Sequence, residues 1–164
     1  MSVEKKIRLL VVDDEEAFAR ALAKRLELRS FDVTVVFNGA DALAAARKQE
    51  YEVALVDLRM PGLSGEDTIE ELKDEHPFLE VVVLTGHGSV DSAVECIKLG
   101  SRHYLQKPCE TQTLLTVLRE AYEVRLRRKF KADEDKMARL QEIALGDSPL
   151  GILRRFRKLE FEDE

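Results

Sequence analysis

The chain has 164 residues, of which 45% are hydrophobic and 35% charged, enough for one packed core plus a few tens of residues and too apolar for full disorder. Its 26 lysines and arginines stand against 32 aspartates and glutamates, and the balance of −6 excludes a surface given over wholly to nucleic acid. Cys96 and Cys109 have no metal spacing and are too few for a disulfide scaffold, while the longest apolar runs are four or five residues. A reducing, cytoplasmic location without a membrane span or a signal peptide is therefore expected, because residues 1–6 lead straight into a strand-like run.

Ile7–Val12 is a short apolar run ending in two aspartates, the pattern of a buried parallel strand. Phe18, Ala21, Leu22 and Leu26 then recur at helical spacing. Residues 31–37 read as a second strand and 40–47 as an alanine-rich helix. Val53–Val56 is a third strand, followed by the turn signal Pro61-Gly62. Ile69 and Leu72 mark a helix closed before Pro77. Residues 81–84 make a fourth strand, and Val90, Ala93, Val94 and Ile97 form one apolar helical face, with Ser89 placed to cap it. Residues 103–105 give a brief fifth strand, and Leu114, Val117, Leu118 and Ala121 line a fifth helix. Five strand-then-helix cycles predict an α/β fold, a doubly wound parallel sheet with helices on both faces. Right-handed crossovers then put every strand's carboxyl end on one edge, where such sheets hold their ligands.

Polar residues follow the strands onto that edge. Asp13 and Asp14 end the first strand, Asp57 the third and Thr85 the fourth, and Lys107 follows the fifth. Any one aspartate could merely cap a helix or brace a turn. Capping gives no reason for three carboxylates, a hydroxyl and a lysine at successive strand ends. Two carboxylates about 4 Å apart repel by roughly 4 kcal/mol at an effective dielectric near 20, so such a cluster raises a pKa or recruits a cation. Hard oxygen ligands suit Mg²⁺, and a divalent ion beside a carboxylate and a lysine is apparatus for phosphoryl transfer. A carboxylate there can itself be the nucleophile, giving an acyl phosphate.

These residues resemble the receiver domain of two-component response regulators. The likeness rests on Val12-Asp13-Asp14-Glu15, on Val56-Asp57-Leu58-Arg59-Met60-Pro61-Gly62 with Gly65 following, on Leu84-Thr85-Gly86 and on Tyr104-Leu105-Gln106-Lys107-Pro108. The resemblance implies a flavodoxin-like sheet of order 2-1-3-4-5, with a receiver over residues 1–128. It makes Asp57 the acceptor of a phosphoryl group from a sensor histidine kinase or phosphotransfer protein. Asp14, Asp57 and the backbone carbonyl of Arg59 would bind Mg²⁺ or Mn²⁺ directly and Asp13 through water. Lys107 would pair with Asp57 before phosphorylation, and the Lys107-Pro108 bond would be cis. Thr85 and Tyr104 would couple phosphorylation to a surface around residues 90–98, 103–106 and 111–122, read by a downstream protein target or by a second copy. Arg59 and His87 flank the site, either tuning the lifetime of the phosphorylated state or simply solvated. The implied protein is a phosphoacceptor, not an enzyme acting on other substrates. An aspartyl-phosphate phosphatase would need an aspartate two after the nucleophile, where Arg59 stands.

Residues 129–164 differ in kind: 8 are basic and 9 acidic, and strand signals are missing. Gly146 can end one helix, and Ser148-Pro149 can begin another with Ile152, Leu153, Phe156 and Leu159 as its apolar stripe. Leu126, Phe130, Met137 and Leu140 form an interrupted heptad with Asp133 in its seam, a candidate dimerisation helix. The basic run 125–131 reads as the solvated end of the fifth helix, where cations suit the helix dipole, rather than as a nucleic-acid contact. Arg59-Met60-Pro61-Gly62, Thr85-Gly86-His87-Gly88 and Leu145-Gly146-Asp147-Ser148-Pro149 resemble the receivers of enhancer-binding ATPase activators and the start of their ATPase domain. No Gly-rich phosphate loop follows, so the expectation is a stand-alone receiver with a charged helical extension over 129–164.

Overall fold

The computed structural model describes residues 5–146, 149–151, 153–154 and 157. Ten elements follow in order: β1 (Ile7–Val12), α1 (Glu16–Glu27), β2 (Phe31–Val36), α2 (Gly39–Lys48), β3 (Val53–Val56), α3 (Gly65–Glu75), β4 (Glu80–Thr85), α4 (Val90–Lys98), β5 (Ser101–Gln106) and α5 (Thr111–Gly146). The sheet is five-stranded and parallel, in the order β2-β1-β3-β4-β5. Two compact units divide the chain, Met1–Arg125 and Leu126–Glu164.

In the first unit the alternation of strand side chains builds one core on each face of the sheet. Leu10, Val12, Ala54, Val56, Val81 and Val83 pack with Ala42, Leu43, Ile69, Leu72 and Cys96, from α2, α3 and α4. Leu9, Val11, Val53, Leu55, Val82 and Leu84 pack with Ala19, Leu22, Leu26, Leu114, Leu118 and Ala121, from α1 and α5. At the amino-terminal edge of the sheet two buried glutamates are paired. Glu52 accepts from the Arg8 backbone N–H at 3.2 Å, and Glu80 accepts from Arg102 Nε at 3.2 Å. A buried carboxylate stripped of its arginine would be costly, so these pairs hold β1, β3, β4 and β5 in register.

Two helical faces differ from the sequence reading. In α1 the buried stripe is Ala19, Leu22, Ala23 and Leu26, and Ala21 lies on the solvent side, one step off the stripe. In α4 the apolar series Val90, Val94 and Ile97 points outward, at 80%, 49% and 51% exposure. The sheet instead takes Cys96, fully buried, with Leu99 packed against the same core and Ala93 half-buried. Both faces of α4 are apolar, so periodicity could not say which one turns inward. The Ser89 cap is present: its hydroxyl accepts from Ser92 N, and Ser92 returns a bond to Ser89 N.

In the second unit α5 reaches Gly146, and Leu126, Phe130, Met137 and Leu140 lie on it at 42%, 71%, 58% and 51% exposure. The expected Ser148 cap and the stripe positions Ile152, Phe156 and Leu159 lie outside the described residues; Leu153 is described and exposed. Arg125 differs from its expected solvated place. It is 4% exposed and ion-paired with Glu50, and so leaves the basic run 125–131.

Candidate functional site

Strand register carries the acidic residues to one edge. Val12 pairs with Val36 on one side and Val56 on the other, so Asp13 and Asp57 leave adjacent strands at the same level. Asp57 N–H donates to the Val12 carbonyl at 2.9 Å, and Lys107 N–H donates to the Thr85 carbonyl at 2.8 Å. Those backbone bonds align β1 with β3 and β4 with the turn after β5, and each brings its side chains to the site.

One oxygen from each of Asp13, Asp14 and Asp57 lies within 4.8 Å of the others. Asp13 and Asp57 are buried at 3% exposure, whereas Asp14 faces solvent. Asp13 does not cap α1. The N-cap is Glu15, which makes no side-chain capping bond, and Asp13 Oδ1 accepts from the Glu15 N–H at 3.0 Å. Asp57 Oδ1 accepts from its neighbour's Leu58 N–H at 2.8 Å. Burial pushes the Asp13 carboxyl above its usual 3.8, against the opposing pull of Lys107 and the Glu15 N–H; Asp57 adds to the rise.

Lys107 is the cation of the cluster, yet its tightest partner is Asp13 rather than Asp57. Nζ donates to Asp13 Oδ2 at 2.7 Å and stands 3.7 Å from Asp57 Oδ2 and 3.8 Å from Glu15 Oε1. The ammonium also sits 4.2 Å from the centre of the Phe18 ring, a cation–π contact that keeps it over the carboxylates. The Lys107-Pro108 bond is cis. Sequence reasoning placed Phe18 only in the core and missed this contact, because strand-end patterns do not show what a helix presents above them.

An open cleft of about 530 Å³ adjoins the acidic cluster and is lined by Asp14, Leu58, Arg59, Met60, Ser64, Glu66, His87 and Ser92. Arg59 and His87 thus both line this cleft with Asp14. Thr85 is fully buried, and its Oγ1 accepts from the His87 N–H at 3.2 Å. Tyr104 is half-buried, and its hydroxyl meets Ser92 Oγ at 2.8 Å. Gly65 allows α3 to start close under the site, since a Cβ there would stand 2.5 Å from the Asp57 carbonyl oxygen.

Oxygen donors on this scale suit a hard divalent cation, and a half-buried lysine beside them suits an anionic group. Comparison with known proteins shows the family. The family model for the response regulator receiver domain matches residues 9–119, more than half of the chain. The acid tolerance regulatory protein ActR of Rhizobium meliloti is 38% identical over 110 residues, covering 67% of this chain and 57% of ActR. The regulatory protein LuxO of Vibrio cholerae is 31% identical over 138 residues, 84% of this chain and 30% of LuxO. A match of 138 residues cannot fit within the 125 of the first unit and so continues past Arg125. The crystal structure of NtrX from Brucella abortus superposes with a TM-score of 0.73 at 29% identity, covering 78% of this chain and 29% of that one. The chain belongs to the response regulator receiver domain family of two-component systems.

Proposed function

We propose that this receiver works as a Mg²⁺-dependent phosphoacceptor in which Asp57 takes a phosphoryl group from the phosphohistidine of a sensor histidine kinase or phosphotransfer protein. The observation that carries the reading is the meeting of the Asp13, Asp14 and Asp57 oxygens within 4.8 Å, with the Lys107 ammonium among them. Asp13, Asp14 and Asp57, together with the backbone carbonyl of Arg59, would hold Mg²⁺ or Mn²⁺. Such an ion, when bound, offsets charge on the transferring phosphoryl oxygens.

The side chains supply the rest. The Leu58 N–H anchors Asp57 through Oδ1 and leaves Oδ2 toward Lys107. Attack by the carboxylate forms a phosphorus–oxygen bond as the phosphorus–nitrogen bond to the donor histidine breaks, and the imidazole leaves with the bonding pair. Lys107 moves its charge onto the new phosphoryl oxygens, and Thr85 turns its hydroxyl toward them. Tyr104 follows Thr85, and the α4–β5–α5 surface, with its outward Val90, Val94 and Ile97, is read by a protein target. Arg59 and His87, on the cleft rim, set how readily water reaches the acyl phosphate. The chemistry of the chain is confined to gaining and losing its own phosphoryl group, in the cytoplasm. Among the described residues no helix is long and apolar enough to cross a membrane.

Reductive trapping tests the assignment of Asp57. Borohydride treatment of the phosphorylated chain, followed by peptide mapping, is expected to convert Asp57 alone to homoserine. Conversion elsewhere, or nowhere, sinks the reading.

A second reading concerns output. The exposed positions Leu126, Phe130, Met137 and Leu140 favour pairing of the α5 extension with a second copy of the chain. Contact with nucleic acid through residues 125–131 is weaker, since Arg125 is buried on Glu50. The receiver is taken to occupy residues 1–128 and the charged extension 129–164.

A further inference from the structure

The turn between β4 and α4 holds a hydrogen-bond arrangement that the phosphoacceptor chemistry does not use. Ser89 and Ser92 form a reciprocal capping box: Ser92 N–H donates to Ser89 Oγ at 3.1 Å, and Ser89 N–H donates to Ser92 Oγ at 3.0 Å. Ser92 Oγ also lies 3.1 Å from the Ser89 carbonyl, which has no proton to offer. The Ser92 hydroxyl brings one proton to these contacts and, to accept with, two lone pairs. One lone pair accepts from Ser89 N–H. The Tyr104 hydroxyl stands 2.8 Å from Ser92 Oγ, a contact in which either hydroxyl can donate. Ser92 Oγ thus has partners in both Ser89 and Tyr104.

Space for the tyrosine comes from Gly88. A Cβ built there would stand 2.6 Å from the Tyr104 hydroxyl, closer than a methyl group can approach, and a tight 3.2 Å from its Cε1, so the ring would have to shift. The ring is thus seated beneath the turn by a missing side chain and held there by a serine of the first turn of α4. Its inner side packs against the core formed with α2, α3 and α4.

We infer that Ser92 is a positioning residue that latches Tyr104 beneath the β4–α4 turn before any phosphoryl group arrives, with Gly88 providing the seat. The latch deepens the reading of Tyr104 as a switch and rests on it, but the contact itself needs no phosphorylation. Its consequence is a bias: Tyr104 starts in the seated position, and the capped end of α4 is tied to β5 in the resting protein. Moving the ring outward then costs the Ser92 hydroxyl a partner, so α4 and Tyr104 shift together.

The test uses the full chain labelled with 3-fluorotyrosine, whose three tyrosines give three fluorine signals, with Tyr104→Phe identifying one of them. In Ser92→Ala the Tyr104 signal is expected to move toward that of an exposed tyrosine and to gain sensitivity to exchange of water for D₂O. The Tyr51 and Tyr122 signals should stay in place, and Ser92→Thr, which keeps the hydroxyl, should restore the wild-type signal. Gly88→Ala, which leaves Ser92 intact, should displace the same signal by filling the seat. An unmoved Tyr104 signal in Ser92→Ala, or one that Ser92→Thr fails to restore, overturns the latch. Phosphoryl uptake at Asp57 is followed in the same samples. Its absence from the wild type would overturn the phosphoacceptor reading alone, since the latch is read in the unphosphorylated chain.

Discussion

Asp13 shows how a single residue can be both useful and costly. It holds Lys107 by a 2.7 Å bond, yet burial keeps its carboxyl above the usual 3.8. In that window the folded chain binds a proton that the unfolded chain has released, so stability is lost as pH rises through the raised value. Asp13→Asn, unfolded by urea without Mg²⁺, should therefore be more stable than wild type at pH 7. The gain should fade below pH 3.8, where folded and unfolded carboxyls are both protonated. Adding Mg²⁺ should stabilise the wild type and leave the variant nearly unmoved. Cys96 gives a second pH test away from the site. Burial pushes its thiol up to about 11, with Glu66 and Glu95 adding to the rise. Between the usual 9.0 and that value the folded state keeps a proton the unfolded state gives up, so stability falls with rising pH. Cys96→Ala should cost about 1–2 kcal/mol at pH 8 from lost burial, and urea midpoints should show that gap narrowing by pH 10.5.

At the scale of elements, strands were the legible part. β1, β3 and β4 are short, largely apolar runs with a polar residue at or just past the carboxyl end, and that pattern also delivered Asp13, Asp57 and Thr85 to one edge. Helix faces were less legible. Ala21 fits an apolar stripe as well as Ala19 does, and α4 offers two apolar faces of which the sheet buries the smaller. Lys107 does pair with Asp57, as expected, but its tighter bond to Asp13 was hidden, because sequence places a lysine near a carboxylate cluster without saying which oxygen its stem length favours. The Ser92–Tyr104 bond spans 12 residues and two elements, and only the Ser89-x-x-Ser92 cap gave a local sign of it. Close approach of α3 to the site gives a prediction at this scale. Gly65→Ala would put a methyl carbon 2.4 Å from the Leu58 Cα and 2.5 Å from the Asp57 carbonyl oxygen, both backbone atoms that cannot swing aside. The variant should lose about 1–3 kcal/mol in chemical denaturation, and its phosphoryl uptake should slow as Asp57 is pushed out of line.

For the molecule as a whole, the two units pose separate questions. In the second unit Asp133 lies in the seam defined by Leu126, Phe130, Met137 and Leu140, and a carboxylate facing its own copy opposes pairing. If α5 pairs with a second copy, light scattering should show a dimer for the full chain and a monomer for a chain ending at Arg128. Asp133→Asn should then tighten the dimer, and Leu140→Glu should dissolve it. Equal masses for the long and short chains would remove that reading. In the first unit Asp57 is the proposed site of a Mg²⁺-dependent acyl phosphate. Intact mass spectrometry after incubation with a small-molecule phosphodonor and Mg²⁺ tests it most directly. One labile phosphoryl group per chain is predicted for the wild type, lost on chelation of Mg²⁺ and absent from Asp57→Asn. A wild type that stays unmodified with both a small donor and a phosphorylated kinase, or an Asp57→Asn chain that takes up the same group, would contradict it.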